Sequence, residues 1–380
     1  MRINWDLIFV LFSCLLTVSV VIFFIYDYEV DLGVDESNNQ QARKSYKIML
    51  LLPTNSKDGG WSESQYNAFN GAINSLNATS EIYENVSGDD CINFIRSFVA
   101  KGGDAVIAPS ENFSKCLRKG TKEFPSIKFI GIIDPDLYPA PNLVTFDTKG
   151  YQLRYLTGIV AAAYSKSDKF AFLVNDNKPR SVRDVNAYLL GLRSVNKNAE
   201  VYLVDLKGQA SNEKEVNAMY TLNSLYPEIQ VFTYNFTSNY IDEFCDLLYK
   251  KCISFHVSKR ELFPNSNLTS IYWSLGSFYR IMISKIINNK FVPNEYFLPL
   301  KYQVIRLAEI NKDVPFNVRN EVNRYLSSFV LHDEEIFIGP IFDNKGELRV
   351  PENGKFKKND LLYNIDWYID GVKEVEYEPN

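Results

Sequence analysis

The sequence has very little of what builds a metal centre. It contains only two histidines, His256 and His332, and no pair of histidines, or of cysteine and histidine, has the spacing of metal ligands. Each histidine also stands without a nucleophile beside it in the sequence. The residues therefore predict neither a metal site nor a cofactor.

Recognisable catalytic motifs are missing as well. There is no G-x-S-x-G segment, which would mark the nucleophile of an acyl-transfer enzyme. The glycine pair Gly59-Gly60 lacks the lysine and the spacing of a phosphate-binding loop. Asp89-Asp90 is the nearest approach to the aspartate cluster of a calcium-dependent nucleoside hydrolase, and such a pair more often caps a helix. We therefore expect a protein that is not an enzyme.

The chain has no cluster of basic residues. Its formal net charge is −5, with Lys and Arg spread along the sequence, and its pI is about 5.4. Domains that bind nucleic acid usually carry a basic stripe and a high pI, so no nucleic-acid partner is expected. Apolar residues are plentiful, at 46% of 380 residues, which is enough for two lobes of ordinary size.

The longest apolar run stands near the N-terminus. Residues 7–26 are uncharged, and ~20 apolar residues span the hydrocarbon core of a bilayer as a helix. Arg2 precedes this run and acidic residues follow it, which predicts a cytoplasmic N-terminus and an extracytoplasmic remainder. We expect an uncleaved membrane anchor over residues 1–26 and a polar linker over 27–46. A cleaved secretory signal and a lipoprotein signal ending at Cys14 are the alternatives.

From residue 47 onward, short apolar segments alternate with amphipathic ones. Strands that alternate with helices of 10–15 residues predict a parallel, doubly wound α/β sheet. The predicted strands of the first unit are residues 47–53, 81–86, 104–108 and 128–133, and its predicted helices are 63–76, 90–101 and 113–122.

The same alternation restarts after Gln152. Two consecutive units predict two lobes with a cleft between them, and ligands of open parallel sheets bind at the carboxyl ends of the strands. The loops expected to line the cleft are 54–62, 109–112, 175–181 and 235–239. Hinges between the lobes are expected near residues 145–150 and 258–266, because each segment follows the last strand of a unit.

Four cysteines follow the apolar run, at Cys91, Cys116, Cys245 and Cys252. In an oxidising compartment such residues can form disulfides. Cys91 and Cys116 open two consecutive predicted helices, so a bridge between them and a pair of buried thiols are both open possibilities.

Three segments resemble the basic membrane protein family of solute-binding proteins. They are residues 47–72 with the motif DGGW, residues 122–163, and residues 337–372, which contain FIGPIFDNKGELRV and DWYIDGV. The resemblance runs over 47–372 and is weakest between 175 and 262. It implies the periplasmic-binding-protein type I fold, with two doubly wound Rossmann-like lobes and a ligand cleft, here preceded by the transmembrane helix.

The order of segments in that fold implies how the chain divides. The first lobe would comprise residues 47–148 and be completed by about 268–290, of which 268–289 would be a helix. The second lobe would comprise residues 149–267, together with a C-terminal segment over about 291–372.

The resemblance also implies ligand-binding residues, which are Asp58, Gly59, Tyr66, Ser110, Glu111, Tyr234 and Trp273. A purine is flat, with polar edges, so it needs aromatic side chains on its faces and a carboxylate or amide at its rim. Asp58 matches the family's base-contacting aspartate, and Tyr66, eight residues later, its stacking aromatic. The alternatives are that Asp58 caps the following helix and that Tyr66 is an ordinary core residue.

Several positions depart from the family pattern. Ser62 stands where an asparagine is common, and Ser110-Glu111 replaces a Gly-Phe pair. The family's ribose-binding aspartate lies in a segment that reads Ser258-Lys259-Arg260 here, and Trp273 replaces a lysine of some members. The first lobe's half of a nucleoside pocket is therefore expected to be present and the second lobe's half to be changed. Lys259 and Arg260 indicate either a site for an anionic ligand or a pair of solvated surface residues.

Characterised members of the family bind purine nucleosides for ABC importers. The resemblance therefore implies an extracytoplasmic solute-binding protein that captures a purine nucleoside or a related nucleobase compound and passes it to an ABC permease. The alternative is a membrane-tethered ligand-sensing or interaction protein with a degenerate pocket and no transport role.

Overall fold

A computed structural model describes residues 45–76, 78–208 and 211–377. The predicted anchor over residues 1–26, and all but the last two residues of the predicted linker, lie outside these ranges. Among the residues described, no helix has the length and apolar character needed to cross a membrane.

The strands and helices alternate along most of the described chain. The strands are β1 (Tyr46–Leu51), β2 (Ala78–Tyr83), β3 (Ala105–Ala108), β4 (Lys128–Ile132), β5 (Leu143–Thr148), β6 (Lys169–Val174), β7 (Glu200–Asp205), β8 (Val231–Tyr234), β9 (Lys251–His256), β10 (Asn267–Trp273), β11 (Asn294–Leu298), β12 (Ile305–Leu307), β13 (Ile341–Phe342), β14 (Leu348–Val350) and β15 (Val372–Glu374). The α-helices are α1 (Trp61–Asn74), α2 (Cys91–Ala100), α3 (Ser114–Glu123), α4 (Tyr151–Tyr164), α5 (Pro179–Val195), α6 (Asn212–Leu225), α7 (Tyr240–Leu247), α8 (Gly276–Ile287) and α9 (Phe316–His332).

The first lobe is built on a six-stranded parallel sheet in the order β11-β5-β4-β3-β1-β2. Strand β1 shows why its apolar sequence is continuous, because alternate residues enter different cores. Ile48 and Leu50 pack on the side of α1 and α8, whereas Met49 and Leu51 pack on the side of α2 and α3. Burial of both faces is the usual environment of a parallel strand.

The second lobe is built on a seven-stranded sheet in the order β12-β10-β9-β8-β6-β7-β15. All neighbours are parallel except β10 and β12. Helices α4 and α5 pack closely because small residues face each other: a Cβ on Gly158 would stand 2.3 Å from the Tyr188 carbonyl oxygen, and one on Gly191 would stand 1.9 Å from that of Tyr155. The parallel α/β class expected from the alternation is confirmed for both sheets.

The chain passes between the two sheets at three places. These are the turn from β5 to α4, the turn from β10 to α8, and the segment from β11 through residues 300–302 to β12. The first overlaps the hinge expected at residues 145–150. The hinge expected at 258–266 is wrong, because these residues connect β9 and β10, which are neighbours in the same sheet.

That error has a local cause. Residues 268–273 (LTSIYW) were expected to begin a helix of the first lobe, but they form β10 of the second sheet. Their β-branched and aromatic side chains favour a strand, and the helix begins only at Gly276. The C-terminal segment also divides differently, because β11 joins the first sheet whereas β12 and β15 join the second.

Two cysteines in the first turns of α2 and α3 are bonded to each other. Cys91 and Cys116 form a disulfide with a Cα–Cα distance of 6.0 Å, which ties these two helices together on the outer face of the first sheet. Cys245 and Cys252 are free thiols buried in the second lobe.

Candidate functional site

The carboxyl ends of the two sheets face each other, and their loops meet in the cleft. Trp61, at the start of α1 in the first lobe, donates its backbone N–H to Thr237 Oγ1 of the second lobe at 3.0 Å. Its indole Nε1 donates to the carbonyl oxygen of Pro109 at 2.7 Å, within its own lobe. Trp61 is thus held by one hydrogen bond to the loop after β3 in its own lobe and by another to the loop after β8 in the second lobe.

The ring of Trp61 ends against two aromatic side chains of the second lobe. Its centroid lies 5.0 Å from that of Trp273, in an edge-on arrangement, and 5.2 Å from that of His256. Trp273 Nε1 donates to His256 Nδ1 at 3.1 Å, which leaves the proton of a neutral imidazole on Nε2. We refer to Trp61, His256 and Trp273 as the aromatic cluster.

His256 is held neutral within this cluster. Burial is the main cause that lowers its pKa well below the usual range, and the positive charges of Arg154, Arg180 and Lys259 act in the same direction. His256 also has a left-handed backbone, with a φ of 75°, at the end of β9. The imidazole is therefore available as a hydrogen-bonding group and an aromatic surface and not as a cation.

Asp58 organises the loop that presents Trp61. Its Oδ1 accepts the backbone N–H groups of Gly60 (2.8 Å) and Glu63 (3.1 Å), and its Oδ2 accepts that of Ser62 (3.1 Å) and the hydroxyl of Thr54 (2.6 Å). Four accepted hydrogen bonds occupy a carboxylate fully. Asp58 thus caps the first turn of α1, and its contact with a ligand stays a prediction.

The two glycines after Asp58 allow the lobes to approach closely. A Cβ on Gly60 would stand 2.4 Å from Thr237 Cγ2, so a side chain there would push the lobes apart. Gly59 has a φ of 68°, and a Cβ on it would stand 3.0 Å from the Asn239 amide and 3.2 Å from Lys259 Nζ. The backbone of this loop therefore lies directly against the second lobe.

Lys259 is a buried charge at this contact. The residue is 1% exposed, and its ammonium donates a hydrogen bond to Asn239 Oδ1. Burial lowers its pKa, although Asp242, Glu63 and Asp58 oppose that shift. The structure thus excludes the solvated surface pair that the sequence left open for Lys259.

Opposite charges also connect the lobes. Glu111 of the first lobe lies 2.8 Å from Lys178 Nζ and 3.5 Å from Arg180 Nε of the second. Asp134, which follows β4, lies 3.3 Å from Lys178 Nζ, and Asp147 on β5 lies 3.4 Å from Arg180 Nη2. We refer to these contacts as the inter-lobe ion pairs.

Within the inter-lobe ion pairs, two nitrogens of Arg180 make no hydrogen bond to the described residues. Its Nε and Nη2 are buried and make no hydrogen bond to any described residue, although carboxylates lie nearby. Its neighbour Arg183 is firmly bound, with Nη2 3.0 Å from Asp147 Oδ2. Arg180 therefore retains donors for a further acceptor in the cleft.

The remaining predicted site residues are distributed differently. Ser110 caps the turn that presents Glu111, accepting the N–H of Asn112 at 3.3 Å. Tyr66 lies one turn along α1 from Trp61 and packs, half-buried, against the hydrophobic core. Tyr234 is fully buried, and its hydroxyl donates to Asp242 within the second lobe.

The structure thus brings Asp58, Gly59, Glu111 and Trp273 to the cleft and commits Tyr234 to the core. Trp61 was missed as a site residue, although it is the aromatic of the D-x-x-aromatic motif from which Asp58 was chosen. Arg180 was missed because it carried no motif. In the part of the chain that the structure describes, no group of three or more His, Cys, Asp or Glu could hold a metal ion.

Two α/β lobes with three crossing segments and a cleft at the carboxyl ends of their strands define a type I periplasmic binding protein. A family model described as ABC transporter substrate-binding protein, PnrA-like, matches residues 45–336. The chain belongs to this family, which confirms the resemblance seen in its sequence. The family is one of substrate-binding proteins of transporters and not of enzymes.

One named relative is similar to this chain in sequence, and solved structures share its fold. A purine-binding protein of Brucella abortus (strain 2308) is 21% identical over 336 residues, which cover 88% of this chain and 94% of that protein. A solute-binding protein of an ABC transporter system from Conexibacter woesei superposes with a TM-score of 0.62 at 19% identity, covering 77% of this chain and 98% of the other. A transcriptional activator of the comK gene from Bacillus halodurans reaches a TM-score of 0.64 at 17% identity, covering 76% and 99%.

Proposed function

We propose that this protein is an extracytoplasmic solute-binding protein that captures a purine nucleoside or related nucleobase compound between its lobes and delivers it to an ABC permease. The observation that carries the proposal is the aromatic cluster, in which Trp61 of the first lobe meets His256 and Trp273 of the second. A flat heteroaromatic ligand is recognised by aromatic faces together with a few polar groups.

The surroundings of the aromatic cluster supply such polar groups. The imidazole Nε2 of His256, the amide of Asn239 and the unused donors of Arg180 are hydrogen-bonding groups of the kind that read the edge of a base. The name of the Brucella relative supports a purine as the ring. Membership of the substrate-binding family supports a permease as the partner.

We also propose that the N-terminal segment holds the folded part at the outer face of the membrane. The support is the uncharged run over residues 7–26, with Arg2 before it and acidic residues after it. Mass spectrometry of the native protein should find an N-terminus that precedes this run. A mature chain that begins with an acylated Cys14 would replace the anchor with a lipid.

A second candidate is a membrane-tethered sensing or interaction protein with a degenerate pocket and no transport role. The favouring observation is that the lobes already touch through protein atoms, with Trp61 bonded to Thr237 and Glu111 paired with Lys178. The transcriptional activator from Bacillus halodurans has the same fold, and this similarity concerns the fold and not the function. This candidate predicts no measurable affinity for purines.

A thermal-shift panel on the purified full-length chain separates these proposals. Guanosine, inosine, adenosine and their free bases would be compared with glucose and arabinose. A ligand present at about 100 times its dissociation constant adds ~2.7 kcal/mol to the free energy of unfolding, which raises the melting temperature by several degrees. We expect a shift with at least one purine and none with either sugar. A shift with sugars alone, or with no compound, contradicts the proposed ligand class.

A further inference from the structure

The most informative group in the cleft is the ammonium of Lys259. It lies at the contact between the lobes, because Nζ donates to Asn239 of the second lobe and stands 3.2 Å from the position of a Cβ on Gly59 of the first. The residue is 1% exposed. The ammonium thus lies at the boundary between the second lobe and the loop that carries Trp61.

Lys259 has no counter-ion of its own. Among the described residues, no carboxylate lies within 4.0 Å of its Nζ, and the Asn239 amide oxygen is its recorded hydrogen-bond acceptor. An ammonium has three donors, so one donated hydrogen bond leaves it incompletely satisfied. Buried charges in proteins are otherwise paired, because the loss of hydration is costly.

The carboxylates nearest to Lys259 are already engaged. Asp58 accepts four hydrogen bonds within its loop. Glu63 accepts the backbone N–H of Gly59 at 3.2 Å, and Asp242 accepts the hydroxyls of Tyr234 and Ser254. These carboxylates therefore influence Lys259 by electrostatic attraction over a distance and not by direct contact.

The next residue adds to the positive character of this corner. Arg260 has a buried guanidinium nitrogen, Nη1, without a hydrogen-bond partner among the residues described. In the same segment, the family resemblance placed a carboxylate for a ribose hydroxyl. This segment therefore presents positive charge where the resemblance implies a carboxylate.

We infer that the ligand of this cleft carries a negatively charged oxygen, which Lys259 receives as its missing counter-ion. The inference rests on the proposed function, since it specifies the purine-type ligand that the aromatic cluster would hold. Two kinds of purine compound have this chemistry: a nucleoside monophosphate, with the charge on a phosphate, and an oxidised purine such as urate, with the charge on the ring system.

Calorimetric titration of the full-length chain tests the inference with matched pairs. Guanosine is compared with guanosine monophosphate, and hypoxanthine with urate, so that each pair differs in negative charge. We expect one anionic ligand to bind about tenfold more tightly than its neutral partner, or better, as for a charge-assisted hydrogen bond. The pair that shows the preference identifies whether phosphate or ring carries the charge.

The variant Lys259→Met keeps the length and the apolar stem of the side chain but removes its charge. It should lose the anion preference, while neutral purines bind within about threefold of wild type. Because an unpaired buried charge is removed, we expect no loss of thermal stability. Lys259→Gln serves as a second variant if the first does not fold. Lys57→Met, an exposed lysine beside Asp58, is the control and should retain the preference.

The outcomes separate this inference from the function on which it rests. If neutral purines bind as well as the anions, and Lys259→Met changes nothing, the inference is wrong and the proposed function stands. If no purine of either kind binds, both are wrong. A preference for the anion that persists in Lys259→Met would also overturn the role of Lys259.

Discussion

Asp58 was singled out as a ligand contact from its place in a motif, and as a helix cap from its chemistry. The structure gives its carboxylate four hydrogen bonds inside the loop, and this loop carries Trp61. Asp58 therefore stabilises the backbone that positions Trp61. The sequence could not decide between these roles, because capping and binding require the same residue type on the same loop.

Replacement of Asp58 by alanine tests the capping role. We expect Asp58→Ala to lower the free energy of unfolding by about 1–3 kcal/mol, because a cap is lost and buried donors are left without an acceptor. Urea denaturation followed by circular dichroism measures this change. Asp136→Ala, at an exposed position in the loop after β4, should stay close to wild type. A variant of Asp58 that is fully stable yet does not bind would instead make this residue a direct ligand contact.

Glu215 introduces a pH dependence close to the cleft. It lies on α6, is 3% exposed, and accepts the hydroxyl of Ser238 in the loop after β8. Burial raises the pKa of Glu215 to about 7, although the hydrogen bond from Ser238 opposes this shift. The folded protein therefore holds a proton that the unfolded chain has lost, and stability falls as the pH rises from about 4.5 to about 7.

The variant Glu215→Gln should remove this penalty. At about pH 8 we expect its free energy of unfolding to exceed that of wild type by roughly 1–3 kcal/mol, whereas near pH 4.5 the two should be similar. Urea denaturation at both pH values provides the comparison. Glu213→Gln, an exposed position on the same helix, is the matched control. An unchanged difference between the two pH values in Glu215→Gln would contradict the assignment.

Among the secondary-structure elements, those with a clear period were the predictable ones. Every strand and helix predicted for the first unit agrees with the structure to within a few residues, because buried parallel strands read as continuous apolar runs. Strand β5 (Leu143–Thr148) was not predicted. The prediction of a helix over residues 268–273 was wrong because a short apolar segment has no period that separates a helix from a strand. The partition of β11, β12 and β15 between the two sheets depends on long-range pairing, which local sequence does not carry.

The inter-lobe ion pairs join the loops at the ends of β3 and β4 to the start of α5. Both side chains of the Lys178–Glu111 pair are partly exposed, so this pair should favour closure of the lobes modestly and weaken as salt is added. Removal of Glu111 leaves Lys178 and Arg180 with fewer partners across the cleft. The lobes of Glu111→Gln should therefore spend more time apart.

Small-angle scattering of the ligand-free protein measures this opening. We expect a larger radius of gyration for Glu111→Gln than for wild type, and an increase for wild type in about 0.5 M salt. Glu123→Gln removes a glutamate that pairs with Arg96 inside the first lobe, so it should leave the radius unchanged. Equal radii for wild type and both variants would show that these ion pairs do not control closure.

Viewed as a whole, the molecule places one aromatic residue of the first lobe against two of the second. The family could be identified from segments at both ends of the chain, and it is confirmed over residues 45–336. The composition of the cleft could not be read in the same way. Trp61, His256 and Trp273 are far apart in the sequence and meet only when the two sheets face each other.

We propose that one purine-type ligand is held between the lobes at the aromatic cluster. The direct test is calorimetric titration of the best purine ligand into wild type, Trp61→Ala, Trp273→Ala and the exposed-aromatic control Tyr138→Ala. Loss of a stacking surface costs about 1–3 kcal/mol, so each tryptophan variant should bind roughly tenfold more weakly or worse, and the tyrosine variant should bind as wild type does. Wild-type affinity in both folded tryptophan variants would show that the ligand binds elsewhere and would contradict its proposed place at the aromatic cluster.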